Sequence, residues 1–293
     1  EDEVHFPEEY GTPPRPQADP NLVKEALDVL QKAERPLMIV GKGAAFSGAE
    51  DELREFAKRT NIPYLTTPMG SGTVDPAEPT NVASARTQAL KGADTILLVG
   101  ARLNWILHFG LPPRFATDYK LIQVDIEPEE LGTNHPATVG LAGDAKAVMG
   151  QMNAALDENP VQYEPESDWL MSLTEIAAKN ADSIAPMLNS DEKPMGYYRI
   201  LKEVQDYLPK DSFLIADGAS TMDISRQVVQ THQARHRMDA GVYGNVGVGI
   251  PFAMAAQLLN PDKKVLILQG DWALGFNGMD LETLARNKLP IVL

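Results

Sequence analysis

Residues 265–293 read VLILQGDWALGFNGMDLETLARNKLPIVL. The run 265–268 is short, wholly apolar and rich in branched side chains, which predicts a buried strand, and Gly270 and Asp271 follow it at once. A helix is expected at about 278–287 and a second apolar run starts at Pro290, where the chain reads as interrupted. Strand, helix and strand in that order specify parallel pairing. Asp271 then stands at the carboxyl end of a strand, where open parallel sheets hold their ligands.

The same alternation extends upstream. A helix at 196–207, a strand at 212–218, a helix opening at Thr221, a glycine-rich turn GVYGNVGVG (241–249) and an apolar helix to Leu259 complete a unit over 196–293. Its three strands fall short of an average sheet, so this domain is expected to be incomplete. Another unit spans 21–156, with a helix from Asn21, strands at 36–41, 63–67, 94–100 and 120–126, and helices near 49–59, 81–91 and 144–156. Apolar strands separated by helices predict α/β architecture, two doubly wound parallel-sheet domains. Residues 1–20, acidic and proline-rich, read as a linker or arm, and 157–195 as a polar connector with a helix within WLMSLTEIAAK.

Composition narrows the function. The net charge of −15 argues against nucleic acid, and no apolar run reaches the roughly 18 residues of a membrane span. The first residues lack the pattern of a secretory signal, and with no cysteine there is neither a disulfide framework nor a thiolate nucleophile. The expectation is a cytoplasmic chain. In so acidic a protein a phosphorylated ligand requires a local device, such as a metal, a helix start or a small basic cluster.

Three strand ends supply candidates: 217–220 (DGAS), 241–249 and 270–273 (GDWA). Glycines let backbone N–H groups approach an oxyanion, and an aspartate past the strand suits Mg²⁺, which also takes phosphate oxygens. On spacing alone an aspartate placed like Asp271 is more often a helix cap or turn residue than a metal ligand. Asp217 and Asp223, at a helix start, read as complements to its dipole. Gly41-Lys42-Gly43 reads as a tight turn, His232 and His236 as surface histidines, and Trp105, Phe109 and Phe115 as packing or substrate contacts.

The segment GDWALGFNGMDLETLARNKLPIVL resembles the magnesium and diphosphate motif of thiamine diphosphate enzymes. GARLNWILHFGLPPRF (100–115), LIQVDIEPEELGTN (121–134), DGASTMDISR (217–226) and ARHRMDAGVYGNVGVG (234–249) are similar to segments of the branch that includes 2-hydroxyacyl-CoA lyases and oxalyl-CoA decarboxylases. The resemblance implies that 21–156 is a central Rossmann-like domain and 196–293 the front of the diphosphate-binding domain. It implies thiamine diphosphate and Mg²⁺ as cofactors, with Asp271 on the metal and Gly270, Trp272 and Ala273 along the diphosphate. Tyr243, Gly244, Asn245 and Val246 would face the cofactor rings, with Val246 wedging its bent form. Arg102, Ser220, Arg235 and His236 would contact an acyl-CoA, and Asp125 and Asp144 would flank an ADP-like nucleotide. The activating glutamate would belong to a domain outside these residues, so that this stretch alone would be inactive, and a homodimer or homotetramer is expected. A peroxisomal address would lie past Leu293, as would an Asn pair completing the metal motif.

The implied reaction is cleavage of a 2-hydroxyacyl-CoA to formyl-CoA and an aldehyde. Oxalyl-CoA decarboxylation, an acetohydroxyacid synthase-like ligation and a catalytically silent binding homologue are the alternatives. Four positions depart from the branch: Ser71, Ser220, Val246 and Trp272 stand where lysine, asparagine, methionine and serine are usual.

Overall fold

A computed structural model describes residues 11–293. The arm assigned to 1–20 therefore lies partly outside the described residues. Where it is described it packs on the first domain: Arg15 donates to Asp144, Asp144 N–H donates to Pro16 O, and Ala18 exchanges two bonds with Gln151.

The first domain contains α1 (Pro20–Gln31), β1 (Pro36–Val40), α2 (Lys42–Ser47), α3 (Glu50–Thr60), β2 (Tyr64–Thr66), α4 (Arg86–Gly92), β3 (Thr95–Val99), β4 (Lys120–Asp125), β5 (Val139–Ala142) and α5 (Ala145–Ala155). Its five strands are parallel in the order β2-β1-β3-β4-β5. β1 and β3 are buried along their whole length, because alternate side chains feed two cores, one on each face of the sheet. The doubly wound arrangement expected from the sequence is thus present. α1 starts where it does because Asp19 accepts from Asn21 N–H and Pro20, which has no N–H to lose, occupies the first turn.

Two elements here were not anticipated. β5 is only VGLA, too short and glycine-interrupted to stand out, and α2 occupies KGAAFS, where the glycines suggested only a turn. Gly41 lets β1 and β3 close up: its N–H donates to Val99 O, and Gly43 N–H donates to Gly100 O.

α6 (Asp168–Leu188), 21 residues long and capped by Ser167, fills much of the polar connector. Leu170 and Leu173 are buried in one core of the first domain, and Trp169 Nε1 donates to Pro36 O at 2.9 Å.

The second domain comprises α7 (Tyr197–Tyr207), β6 (Phe213–Asp217), α8 (Ala219–Val228), β7 (Arg237–Met238), α9 (Gly249–Leu259), β8 (Val265–Gln269), α10 (Asp271–Asn277) and α11 (Asp280–Arg286). Its described strands form a parallel sheet in the order β7-β6-β8, and Val292 extends it by one bridge to Leu266. α8 opens at Ala219 rather than Thr221, and the single helix expected at 278–287 is preceded by α10. No described helix is long and apolar enough to cross a membrane.

Candidate functional site

The carboxyl ends of β6 and β8 form a crevice closed by the glycine-rich turn. Its keystone is Asp217, fully buried at the end of β6. One carboxylate oxygen accepts from Gly249 N–H at 2.8 Å, Gly247 N–H at 3.1 Å and Gln269 Nε2 at 3.2 Å. It therefore binds the turn, the start of α9 and the end of β8 to one strand. Sequence reasoning assigned Asp217 to the dipole of α8, since nothing local reveals partners 30 to 52 residues away. Gly218 sits at φ +108°, a region natural to glycine, and packs against Gly270.

Asp271 is the first residue of α10, and it and Trp272 are exposed, the indole at 79%. Ala273 is fully buried and packs inward. Across the crevice Tyr243 (90% exposed), Gly244, Asn245 and Val246 stand on the turn. Gly247 brings turn and helix together: Asn277 Nδ2 donates to its carbonyl at 2.7 Å, and a Cβ at Gly247 would meet Phe276 at 3.1 Å. Ser220 is exposed in the first turn of α8. The crevice thus assembles Ser220, 243–246 and 270–273 around two neighbouring strand ends.

Arg235 and His236 do not join it, and Arg102 lines a cleft of the first domain that reaches Val242 and Tyr243 of the turn. Arg102 pairs with Asp125 (Nε to Oδ2, 3.2 Å) and with Glu130 (3.1 Å), and Asp125 also accepts from Glu127 N–H. Asp144 caps α5 through Ala147 N–H and is bound by Arg15 at 2.8 Å. Asp125 and Asp144 do share a cleft of about 720 Å³ beyond the first sheet's strand ends, which reaches Val242 and Tyr243, but both carboxylates already have arginine partners. A larger cavity of about 940 Å³, between α3 and α6, is remote from either set of strand ends.

Arg235, at φ +65°, reaches away from the crevice to Glu50 of the first domain (3.1 Å), and the neighbouring Gln233 carbonyl lies against Gly72. His236 lies at the start of β7, its carbonyl accepting from Leu214 N–H. That is the amino end of the sheet, about 13 Å along β6 from Asp217 at the usual rise per residue. Its ring stacks on Phe213 with centroids 4.0 Å apart, and Nδ1 is 3.2 Å from Ser212 O.

Burial lowers the His236 pKa, and Lys263 lowers it further, against the opposing Ser212 carbonyl and Asp211. A histidine that protonates less readily when folded contributes stability that is complete above its unfolded pKa and declines as pH falls from there through the folded value. We therefore expect stability to decline below about pH 6.5, and His236→Asn to flatten the part of that slope due to this ring in denaturation series at fixed ionic strength. An unchanged slope would assign the acid sensitivity to other groups.

Comparison with known proteins resolves what the crevice belongs to. Residues 23–152 match "Thiamine pyrophosphate enzyme, central domain", and residues 217–293 match "Thiamine pyrophosphate enzyme, C-terminal TPP binding domain". The chain belongs to the thiamine pyrophosphate enzymes. Among relatives, 2-hydroxyacyl-CoA lyase 1 of Mus musculus is 46% identical over 285 residues, covering 96% of this chain and 49% of that protein. The Homo sapiens 2-hydroxyacyl-CoA lyase 1 is 44% identical over 294 residues, covering 99% of this chain and 51% of its own length. Oxalyl-CoA decarboxylase of Escherichia coli K12 is 38% identical over 276 residues, covering 94% of this chain and 48% of its own length. The chain spans about half the length of these curated relatives.

The crevice of this family member fits a magnesium diphosphate. Two buried amide oxygens, Gln269 Oε1 and Asn277 Oδ1, have no hydrogen-bond partner, and their side chains hold Asp217 and Gly247 at the edge of the site. A Cβ at Gly249 would lie 2.3 Å from Gln269 Oε1, so the turn approaches the strand end as closely as its backbone permits. The first turn of α10 leaves backbone N–H groups that the helix does not use. Among the described residues no three His, Cys, Asp or Glu side chains cluster as a metal site, so Asp271 would need oxygen ligands from the diphosphate and from elsewhere.

Proposed function

We propose that this chain supplies the central and diphosphate-binding parts of a magnesium- and thiamine diphosphate-dependent lyase that splits a 2-hydroxyacyl-CoA into formyl-CoA and an aldehyde. The observation that carries it is the pair of strand ends of β6 and β8, where Asp271 opens α10 and the glycine-rich turn is tied to both strands through Asp217. Greater identity to the two mammalian lyases than to the decarboxylase favours the hydroxyacyl substrate. Thiamine diphosphate, when bound, supplies an electron sink for cleaving the bond next to the thioester carbonyl.

The protein's own part is to bind and orient. Asp271 holds the cation, and Gly270 with its following N–H groups receives the diphosphate. Tyr243 to Val246 wall the rings from solvent. Ser220, a single hydroxyl at the mouth, donates to or accepts from the acyl group. Oxalyl-CoA decarboxylation is the second reading, favoured by the 38% relative and by a common product, formyl-CoA. A general acid/base from outside these residues completes either reaction.

The test is formyl-CoA release by the complete polypeptide from a 2-hydroxyacyl-CoA and from oxalyl-CoA in parallel. Product from the first alone supports the lyase, product from the second alone gives the decarboxylase, and product from neither overturns both. Asp271→Asn should weaken magnesium-dependent binding of thiamine diphosphate about tenfold or more, on the order of 1.4 kcal/mol. Unchanged affinity in titration calorimetry would remove Asp271 from the metal.

A further inference from the structure

The turn bearing Tyr243, Gly244, Asn245 and Val246 is anchored at both ends. At one end Asp239 Oδ1 accepts from Gly241 N–H at 2.9 Å, and Met69 of the first domain lies so close that a Cβ on Gly241 would meet its Cε at 2.9 Å. At the other, Asp217 and Asn277 hold Gly247. Between the anchors the side chains stand in solvent, and Gly241, Gly244 and Gly247 all have positive φ (57°, 64° and 92°). Three glycines within seven residues make this an adaptable segment.

One bond reaches its interior. Trp105 Nε1 donates to Val242 O at 2.6 Å, across 137 residues of sequence. Trp105 is 50% exposed, too open for a core residue, and it opens a turn over Trp105–Gly110 whose own position is fixed several times. Asn104 Oδ1 accepts from Ile106 N–H, Arg86 Nη2 donates to Ile106 O at 2.7 Å, and Asn134 Nδ2 donates to Leu103 O at 2.9 Å. His108 and Phe109 in this turn both have positive φ (51° and 56°), uncommon for residues with side chains and maintained only where the surroundings over-determine them. A rigid, strained platform on the first domain therefore presents an indole N–H, a donor with no acceptor capacity, to the adaptable turn of the second.

We propose that Trp105 is a positioning residue: by holding the Val242 carbonyl from the first domain, it sets the conformation in which residues 243–246 meet the cofactor. This rests on the reading of 243–246 as cofactor-facing. Trp105 acts through the Val242 backbone and touches no reacting atom. Trp105→Phe keeps a ring and most of the apolar area and removes only the donor.

In the complete polypeptide without cofactor, Trp105→Phe should speed hydrogen exchange of the Gly241 and Gly247 amides, the bonded N–H groups that flank Tyr243–Val246, about five- to tenfold, the range one neutral hydrogen bond supports. Exchange in β6 and β8 should stay unchanged. The Kd for thiamine diphosphate should rise by a similar factor, and Trp105→His, which restores a ring N–H, should recover part of both effects. Unchanged exchange at Gly241 and Gly247, or a rise spread over the whole second domain, overturns the inference. Local exchange that responds in a protein that binds no thiamine diphosphate upholds the positioning contact and overturns the cofactor reading instead.

Discussion

Asp217→Ala is expected to destabilise the second domain by about 3–5 kcal/mol, the range for breaking a buried hydrogen-bond network. The carboxylate is fully buried and one of its oxygens accepts from Gly247 N–H, Gly249 N–H and Gln269 Nε2. Alanine would strand all three donors in a site too enclosed for free rehydration, at roughly 1–3 kcal/mol for each unsatisfied group, and these costs are not fully additive. Asp217→Asn retains one acceptor oxygen but turns the other into a donor, so about half the loss is expected. The measurement is denaturant unfolding followed by a probe confined to the second domain. A shift of under about 1 kcal/mol for alanine would mean that the turn is held by its flanking glycines and Asn277 without the carboxylate. Because the same oxygen fixes the turn opposite Asp271, thiamine diphosphate affinity should fall with stability.

The second large effect belongs to the first domain. Gly41→Ala is expected to cost more than about 3 kcal/mol, the upper range for overpacking, and to lower the yield of folded protein. A Cβ at Gly41 would lie 2.2 Å from Gly100 O and 2.5 Å from Ala101 Cβ. Both contacts are to parts that cannot swing aside, since the backbone there is fixed by the β1–β3 pairing and by Gly43 N–H on Gly100 O. Gly150→Ala is the matching control. It lies within α5, nothing stands within 4 Å of its would-be Cβ, and a gain of up to about 1 kcal/mol is expected from helix propensity. Comparable unfolding midpoints for the two variants would show that the close approach at Gly41 relaxes without penalty.

These residues also mark how far sequence reasoning reaches. The strands PLMIV, TILLV and KLIQVD were legible because parallel strands buried on both faces leave continuous apolar runs. VGLA and the two-residue strand at Arg237–Met238 were not, because their pairing is supplied by neighbours already in place. Arg237 shows the same dependence. It is buried, donates to Ser225 Oγ at 2.9 Å, and burial pushes its pKa down to about 10, although in sequence it is one more cation in a basic cluster.

In the candidate site, the glycines and Asp271 stand out in the sequence because they belong to contiguous motifs at strand ends. What the sequence does not reveal is the partners that lie far along the chain. Arg102 pairs with Asp125 and Glu130, and Arg235 with Glu50 across 185 residues, contacts that only the fold brings about. His236 is separated from the glycine-rich turn by only a few residues, yet a strand intervenes, and an extended chain carries it to the opposite end of the sheet. Proximity in sequence misleads most where the chain is straightest.

The helix α6 has a consequence for how such enzymes exchange parts. By composition the acidic, proline-rich residues 157–195 suggest a seam at which one domain could be traded for another. Yet Trp169, Leu170 and Leu173 are part of the first domain's packing, and the helix they begin continues for about 30 Å. A chimaera joined at 157 would inherit a first domain stripped of one wall and a second domain carrying a helix whose buried residues, Leu170 and Leu173, have lost their core. Joined at 189–196, between the end of α6 and the start of α7, the first parent would keep its wall, and the packing of α6 on α7 would be the one interface to match. Recombination between relatives, in the laboratory or in evolution, should therefore favour the short exposed stretch after the helix over the longer seam that composition suggests.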